Sequence, residues 1–199
     1  MSQSPKERRQ ARTRQAILDA ARALILEKGV EQLSLRAVAR KVDYSPAGLY
    51  EYFANKEAII STLAEQVSSQ LYLALEKASR NAEGPPLVAI GLAYIQFARE
   101  HSEDFLLMFS RLHSRRVSED SPVAENSPYK VVVDAVASGI QSGSICMPTH
   151  MSVEQIAYSV WAMCHGAAML QTTHLKDFQA DFQTADAFAF QALLEGLAS

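Results

Sequence analysis

Cysteine is scarce in this 199-residue chain: there are two, Cys146 and Cys164, in no C-x-x-C pair. So thin a supply builds no disulfide framework and fits a reducing compartment, the cytoplasm. Glycine (8) and proline (7) are also few, and helix formers dominate, so an all-α fold is expected. The amino terminus, MSQSPKERRQARTR, has no apolar stretch after its charges and is not read as a secretion signal. One uncharged run, Gln155 to Leu175, is long enough to cross a bilayer, yet it carries Gln155, Ser159, His165, Gln171, Thr172, Thr173 and His174 and lacks a basic flank. The expectation is a helix buried in protein, with no membrane as partner.

Motifs that carry chemistry are missing too. His101, His113, His165, His174 and Cys164 could supply metal ligands, but no two show a spacing such as H-E-x-x-H, and the neighbours Cys164 and His165 point to different helix faces. No nucleophile motif, glycine-rich phosphate loop or paired-acid signature stands out. Neither an enzyme nor a cofactor or metal protein is expected.

What the chain does have is a hydrophobic content of 48%, ample for a buried core, and an uneven charge. Its net charge of -3 hides a split. Residues 1 to 60 hold 11 Lys and Arg against 7 Asp and Glu, a balance of +4, and residues 61 to 199 hold 8 against 15, a balance of -7. A basic head on an acidic body concentrates attraction for phosphate at one end.

The head contains a dense set of local signals between Leu33 and Ile60. Leu35, Val38, Ala39 and Val42 recur at helical spacing, and Ser34 precedes them as a cap. Ser45 is a second cap with Pro46 at the first helical position, and Asn55 caps a third helix with Glu57 in its first turn. Two short helices joined by a tight turn suggest a helix-turn-helix. The residues Leu33-Ser34, Ala39, Ser45, Leu49-Tyr50, Phe53 and Lys56-Glu57 resemble, in order and spacing, the DNA-binding domain of the TetR family of bacterial transcriptional regulators. One departure is Asp43, where the family usually has Gly; Asp tolerates the positive φ such a turn often needs, and it adds a negative charge near phosphate.

The remaining chain reads as helices. The first runs from about Lys6 to Lys28 and ends at Gly29, behind a basic arm, residues 1 to 10, expected to be disordered. Arg8, Arg9, Arg12 and Arg14 cluster at its start, and beside a helix-turn-helix they point to phosphate or minor-groove contact. A strut helix follows from about Lys56 to Arg80, stopped by Gly84-Pro85-Pro86. Helices are then expected over Leu87 to His101, from Phe105 on, over Ser127 to Ser142, from the cap Ser152 to His174, and over Thr184 to Leu197. Ser114 to Ser127 reads as a mobile loop, and Gly143 to Met151, with Pro148, as a connector. The domains expected are 1–56, the helix-turn-helix, and 57–199, a helical regulatory and dimerisation bundle. Within the latter, Trp161, His165 and Gly166 are similar to a TetR-family subgroup named for that Trp-His-Gly pattern.

Leu35, Val38, Ala39, Leu49 and Phe53 are expected in the core. The resemblance implies that Tyr50 and Lys56 hold phosphates, and Ser34, at a helix start, combines cap and phosphate contact. Base reading falls to Tyr44, Ser45, Pro46, Ala47 and Gly48, with Arg36 the one side chain suited to a bidentate bond to guanine. Small residues on the last two helices, Ala157, Gly166, Ala167, Ala168, Ala185, Ala189 and Ala192, suit either ordinary packing or pairing across a two-fold axis; the resemblance implies the homodimer. It also implies a repressor on a palindromic double-stranded operator, released by a small-molecule effector. Tyr94, Phe97, His101, Phe105, Met108, Phe109, Trp161 and His165 are the candidate pocket, which suits an apolar or aromatic ligand. The alternatives are a dimeric DNA-binding protein that answers to a protein partner or to no ligand, and an all-helical enzyme or metal protein.

Overall fold

The structure is a computed structural model, and it describes residues 4–112, 123–146 and 151–198. His113 and Pro148, with most of the expected loop at Ser114 to Ser127 and the middle of the connector before Met151, lie outside the described residues. Nine α-helices and one 3-10 turn occur among those described, and no strand. They are α1 (Pro5–Lys28), the 3-10 turn Val30–Gln32, α2 (Leu35–Lys41), α3 (Pro46–Leu49), α4 (Lys56–Arg80), α5 (Pro86–Glu100), α6 (Ser102–Leu112), α7 (Pro128–Gln141), α8 (Val153–Thr172) and α9 (Phe182–Ala198).

Capping residues set most of these boundaries. Ser4 and Glu7 form a reciprocal capping box at the start of α1, with Pro5 at the first helical position. The expected free arm is therefore corrected: residues 5–10 are the first turns of α1, because that box satisfies the backbone N–H groups which would otherwise fray. The Ser4 bonds also hold the Glu7 carboxyl below its usual range. Gly29, at φ 84°, ends α1, and its N–H donates to the Ile25 carbonyl. A second capping box, Ser152 with Gln155, starts α8, and Asp181 Oδ1 accepts from the Thr184 N–H at 3.1 Å to start α9.

Two compact units result, and the division falls inside α4, after Gln66, rather than at residue 56. The first unit also takes α6 from Leu106 onward. Its core is Ile17, Leu18, Ala21 and Leu24 of α1, Val38 and Ala39 of α2, Leu49, Phe53, and Ile59, Ile60 and Leu63 of α4, with Leu107. Leu35, expected in that core, is only partly buried against it, as is Val42. The second unit holds Val67–Phe105 and the described residues after 122. There α8 packs on α5 and α7, and α9 on α5. Phe190 of α9 lies directly on Gly91 of α5, where any Cβ would collide with its ring.

Small residues do two different things in this unit. Ala157 and Ala168 are fully buried in their own unit, so for these two the pairing role gives way to ordinary packing. Gly166, Ala185, Ala189 and Ala192 are exposed, together with Tyr158 (66%) and Phe188 (73%). No described helix is long and apolar enough to cross a membrane, including the one that contains the uncharged run.

Candidate nucleic-acid interface

The reading surface is built by three serine and asparagine caps. Ser34 Oγ accepts from the Ala37 N–H at 3.2 Å, Ser45 Oγ from the Gly48 N–H at 3.0 Å, and Asn55 Oδ1 from the Ala58 N–H at 2.8 Å. They set the starts of α2, α3 and α4. Between α2 and α3 the chain reverses at Asp43, whose φ of 54° makes it the one non-glycine residue with positive φ among those described. The Tyr44 N–H then donates to the Ala39 carbonyl at 3.0 Å, the six-to-one bond of a Schellman cap. The expected left-handed turn is present, formed by Asp where glycine is usual.

This turn lifts one short segment out of the core. Tyr44, Ser45, Pro46 and Ala47 are exposed, as are Ser34 and Arg36, and Tyr50 is 60% exposed at the end of α3. Gly48 and Lys56 are half-buried. Leu49, one residue before Tyr50, is fully buried, and with Phe53 it anchors the segment from beneath. Tyr44 stands edge-on to Tyr52, ring centroids 6.3 Å apart, and a Cβ at Gly48 would touch the Tyr44 ring at 3.4 Å. Gly48 thus lets Tyr44 lie close to α3.

Sequence reasoning missed the role of Arg14. Its guanidinium lies 4.5 Å over the Phe53 ring, and Nη2 is 3.4 Å from Thr62 Oγ1, which itself donates to the Ala58 carbonyl. Arg14 therefore braces α1 against α4. Arg9 and Arg12 are exposed. The signal for Arg14 lay in its register, one turn before the first buried residues of α1, Ile17 and Leu18, and not in its charge.

In the second unit, Tyr94 is the hub of an aromatic cluster. It meets Phe105 at 5.7 Å, Trp161 at 4.9 Å and His165 at 6.5 Å between centroids, and its hydroxyl is 3.1 Å from His165 Nδ1. Tyr129, not anticipated, meets Trp161 at 5.5 Å. Burial drives the Tyr94 phenol pKa strongly upward, so it keeps its proton beside His165; burial likewise lowers the His165 pKa and favours neutral imidazole. Burial pushes the Cys164 thiol up to about 12, which keeps it protonated at neutral pH. Phe97 is buried, its ring tilted against that of an exposed His101 at 4.7 Å between centroids, while Met108 and Phe109 belong to the first unit. Four of the eight expected pocket residues, Tyr94, Phe105, Trp161 and His165, are thus brought together.

A groove of about 1130 Å³ opens elsewhere in the second unit, between the ends of α4, α5, α7 and α9, and none of those eight residues lines it. No group of three His, Cys, Asp or Glu with metal-binding geometry occurs among the described residues.

Known proteins match both parts of the chain. Residues 17–63 match the model for bacterial regulatory proteins of the tetR family, and residues 87–199 match a tetracyclin repressor-like C-terminal domain. The HTH-type transcriptional repressor KstR of Rhodococcus jostii is 26% identical over 76% of this chain and 70% of its own. An uncharacterized HTH-type regulator of Bacillus subtilis, YobS, is 20% identical over 93% of this chain and 92% of its own. The structure of a protein of unknown function from Rhodococcus sp. RHA1 superposes with a TM-score of 0.77 at 29% identity, covering 94% of this chain and 95% of that one. With a helix-turn-helix head and a matched helical body, the chain is a DNA-binding transcriptional regulator and belongs to the TetR family.

Proposed function

We propose that the protein is a homodimeric repressor that binds a palindromic operator and is released when a small apolar or aromatic molecule enters its second unit. The observation that carries the DNA half of this reading is the exposed edge from Tyr44 to Tyr50, raised on a buried Leu49 and set in a unit with a basic balance. Tyr50, Lys56 and Ser34 are assigned to phosphates. Arg36, Tyr44, Ser45, Pro46, Ala47 and Gly48 are assigned to the major groove, where Arg36 can bond guanine in two places and Ala47 can touch a thymine methyl. Phosphate contacts hold the head on any duplex, and base contacts choose the sequence.

The dimer is assigned to the exposed face of α8 and α9, where Gly166, Ala185, Ala189 and Ala192 permit close approach and Tyr158 and Phe188 supply apolar area. Two heads must meet half-sites about one helical turn apart, roughly 34 Å, so a shift of a few ångströms loses simultaneous contact. An effector produces that shift only by binding the arrangement that cannot hold DNA more tightly. We assign it to the Tyr94 cluster, where Trp161 and His165 both face Tyr94. The spacing of Trp161, His165 and Gly166 in the sequence is what supports membership of the Trp-His-Gly subgroup.

Selection of bound duplexes from a random pool with the purified protein tests this reading. A two-fold symmetric consensus is expected; a consensus without symmetry would remove the dimer, and no enrichment at low salt would remove the DNA assignment. On the selected site, Lys56→Ala is expected to weaken binding to all sequences and flatten its salt dependence, while Arg36→Ala changes which sequences bind. An equal loss of preference in both variants would count against the division of roles.

A further inference from the structure

The groove of about 1130 Å³ in the second unit is wide enough for a drug-sized molecule. Its walls are apolar, with Leu92, Val131, Ala135, Ile145, Ala187 and Leu194 among them. Its charges all have one sign: Glu76, Glu83, Asp134 and Glu195 line it, and no Lys, Arg or His does. We infer that the groove binds an elongated organic cation, with an apolar body against the walls and the charged head among the carboxylates. As an effector site it rests on the regulatory reading above; as a binding site it does not.

Local sequence holds the groove open. Gly84-Pro85-Pro86 separates α4 from α5, so the two helix ends cannot close on each other. At Gly139 a Cβ would meet Ile145 at 2.6 Å, so the missing side chain lets Ile145 fold back onto α7 as a wall. Phe190, seated on Gly91, fixes α9 with Ala187, Gln191 and Leu194 toward the groove. On the helical wheel those positions lie roughly opposite Ala185, Ala189 and Ala192.

The electrostatic balance favours a cation. Arg80 pairs with Glu76, and Lys130 Nζ lies 2.6 Å from Asp134 and 3.7 Å from Glu125, which offsets two of the four lining carboxylates. Glu195 Oε1 accepts from Gln191 Nε2 at 3.0 Å. The first turn of α5 contributes a partial positive charge of about half an elementary unit, with one N–H donor removed by Pro86, which is too little to reverse the sign.

Calorimetric titration of the full chain with octyltrimethylammonium, 1-octanol and octanoate holds the apolar body constant and varies the charge. The cation is expected to bind at least tenfold more tightly than octanoate, with octanol between them. Glu83→Gln with Glu195→Gln should bring cation and anion within about threefold while octanol is unchanged. Ala135→Trp, which fills the groove, should abolish binding of all three; thermal melts check its fold, and the two surface Gln changes carry the test if it fails. Octanoate binding as tightly as the cation, a preference that survives the Gln changes, or binding to none of the three overturns the inference. Capture of the selected operator is measured in parallel. A protein that holds DNA but no cation overturns the groove alone, and one that holds the cation but no DNA overturns the regulatory reading alone.

Discussion

Asp43 shows how one residue carries both a structural cost and a functional one. Positive φ costs an ordinary L-residue about 1–2 kcal/mol, less for Asp, whose short polar side chain is tolerated there. Asp43→Ala is therefore expected to lie about 1 kcal/mol below Asp43→Gly in stability, read as a shift of the urea midpoint at unchanged slope. Equal midpoints would show that the turn does not depend on that conformation. His165 is the second informative residue. Burial lowers its folded pKa below the unfolded value, so the unfolded state binds more protons and stability is lost as pH falls below the ordinary histidine range. Denaturation midpoints measured between pH 7.5 and 5 should fall, and His165→Gln, whose amide can hydrogen-bond Tyr94 in either direction, should flatten the slope. A slope unchanged by that variant would place the titrating group elsewhere. The left-handed turn at Asp43 was legible in the sequence from a departure at a single position. The pairing of His165 with Tyr94 was not, since the two are 71 residues apart.

Among the helices, contact decides what a glycine is for. Gly91 and Gly166 are both in helix interiors, where replacement by alanine gains roughly 1 kcal/mol of propensity. At Gly91 the new methyl would enter the Phe190 ring, and overpacking of that kind costs about 1–3 kcal/mol. At Gly166 nothing lies within 4 Å. Gly91→Ala is expected to destabilise the protein and Gly166→Ala to stabilise it, in melts at low protein concentration; the same sign for both would contradict the packing of α9 on α5. Helix limits were readable because caps are local: Ser34, Ser45, Asn55 and Ser152 all cap where the sequence placed them. The start of α1 near Lys6 was legible, and only the disorder expected up to residue 10 was not upheld, because Ser4 and Glu7 form a capping box that orders those turns.

For the molecule as a whole, the question is which faces stay exposed in solution. Phe188 is 73% exposed on α9, beside Ala185, Ala189 and Ala192. An apolar ring among small residues is a costly surface for a lone protomer and suits an interface between copies. Phe188→Glu is expected to shift the protein from dimer to monomer in sedimentation velocity and to weaken operator binding at least tenfold, with little change in protomer stability because the ring makes no core contact. A variant that remains dimeric would move the interface to another face. The charge split from head to body belongs to this scale too, and raising salt is expected to weaken DNA capture.

By itself the sequence determined the helical class, the helix-turn-helix, the caps and the family, because each rests on residues no more than a few positions apart. Tertiary structure alone decided which alanines are core and which are surface, that Arg14 braces Phe53 and Thr62, and that an acid-lined groove lies between α4, α5, α7 and α9. Those outcomes depend on which helix faces meet, and a helical repeat names the faces without naming their partners.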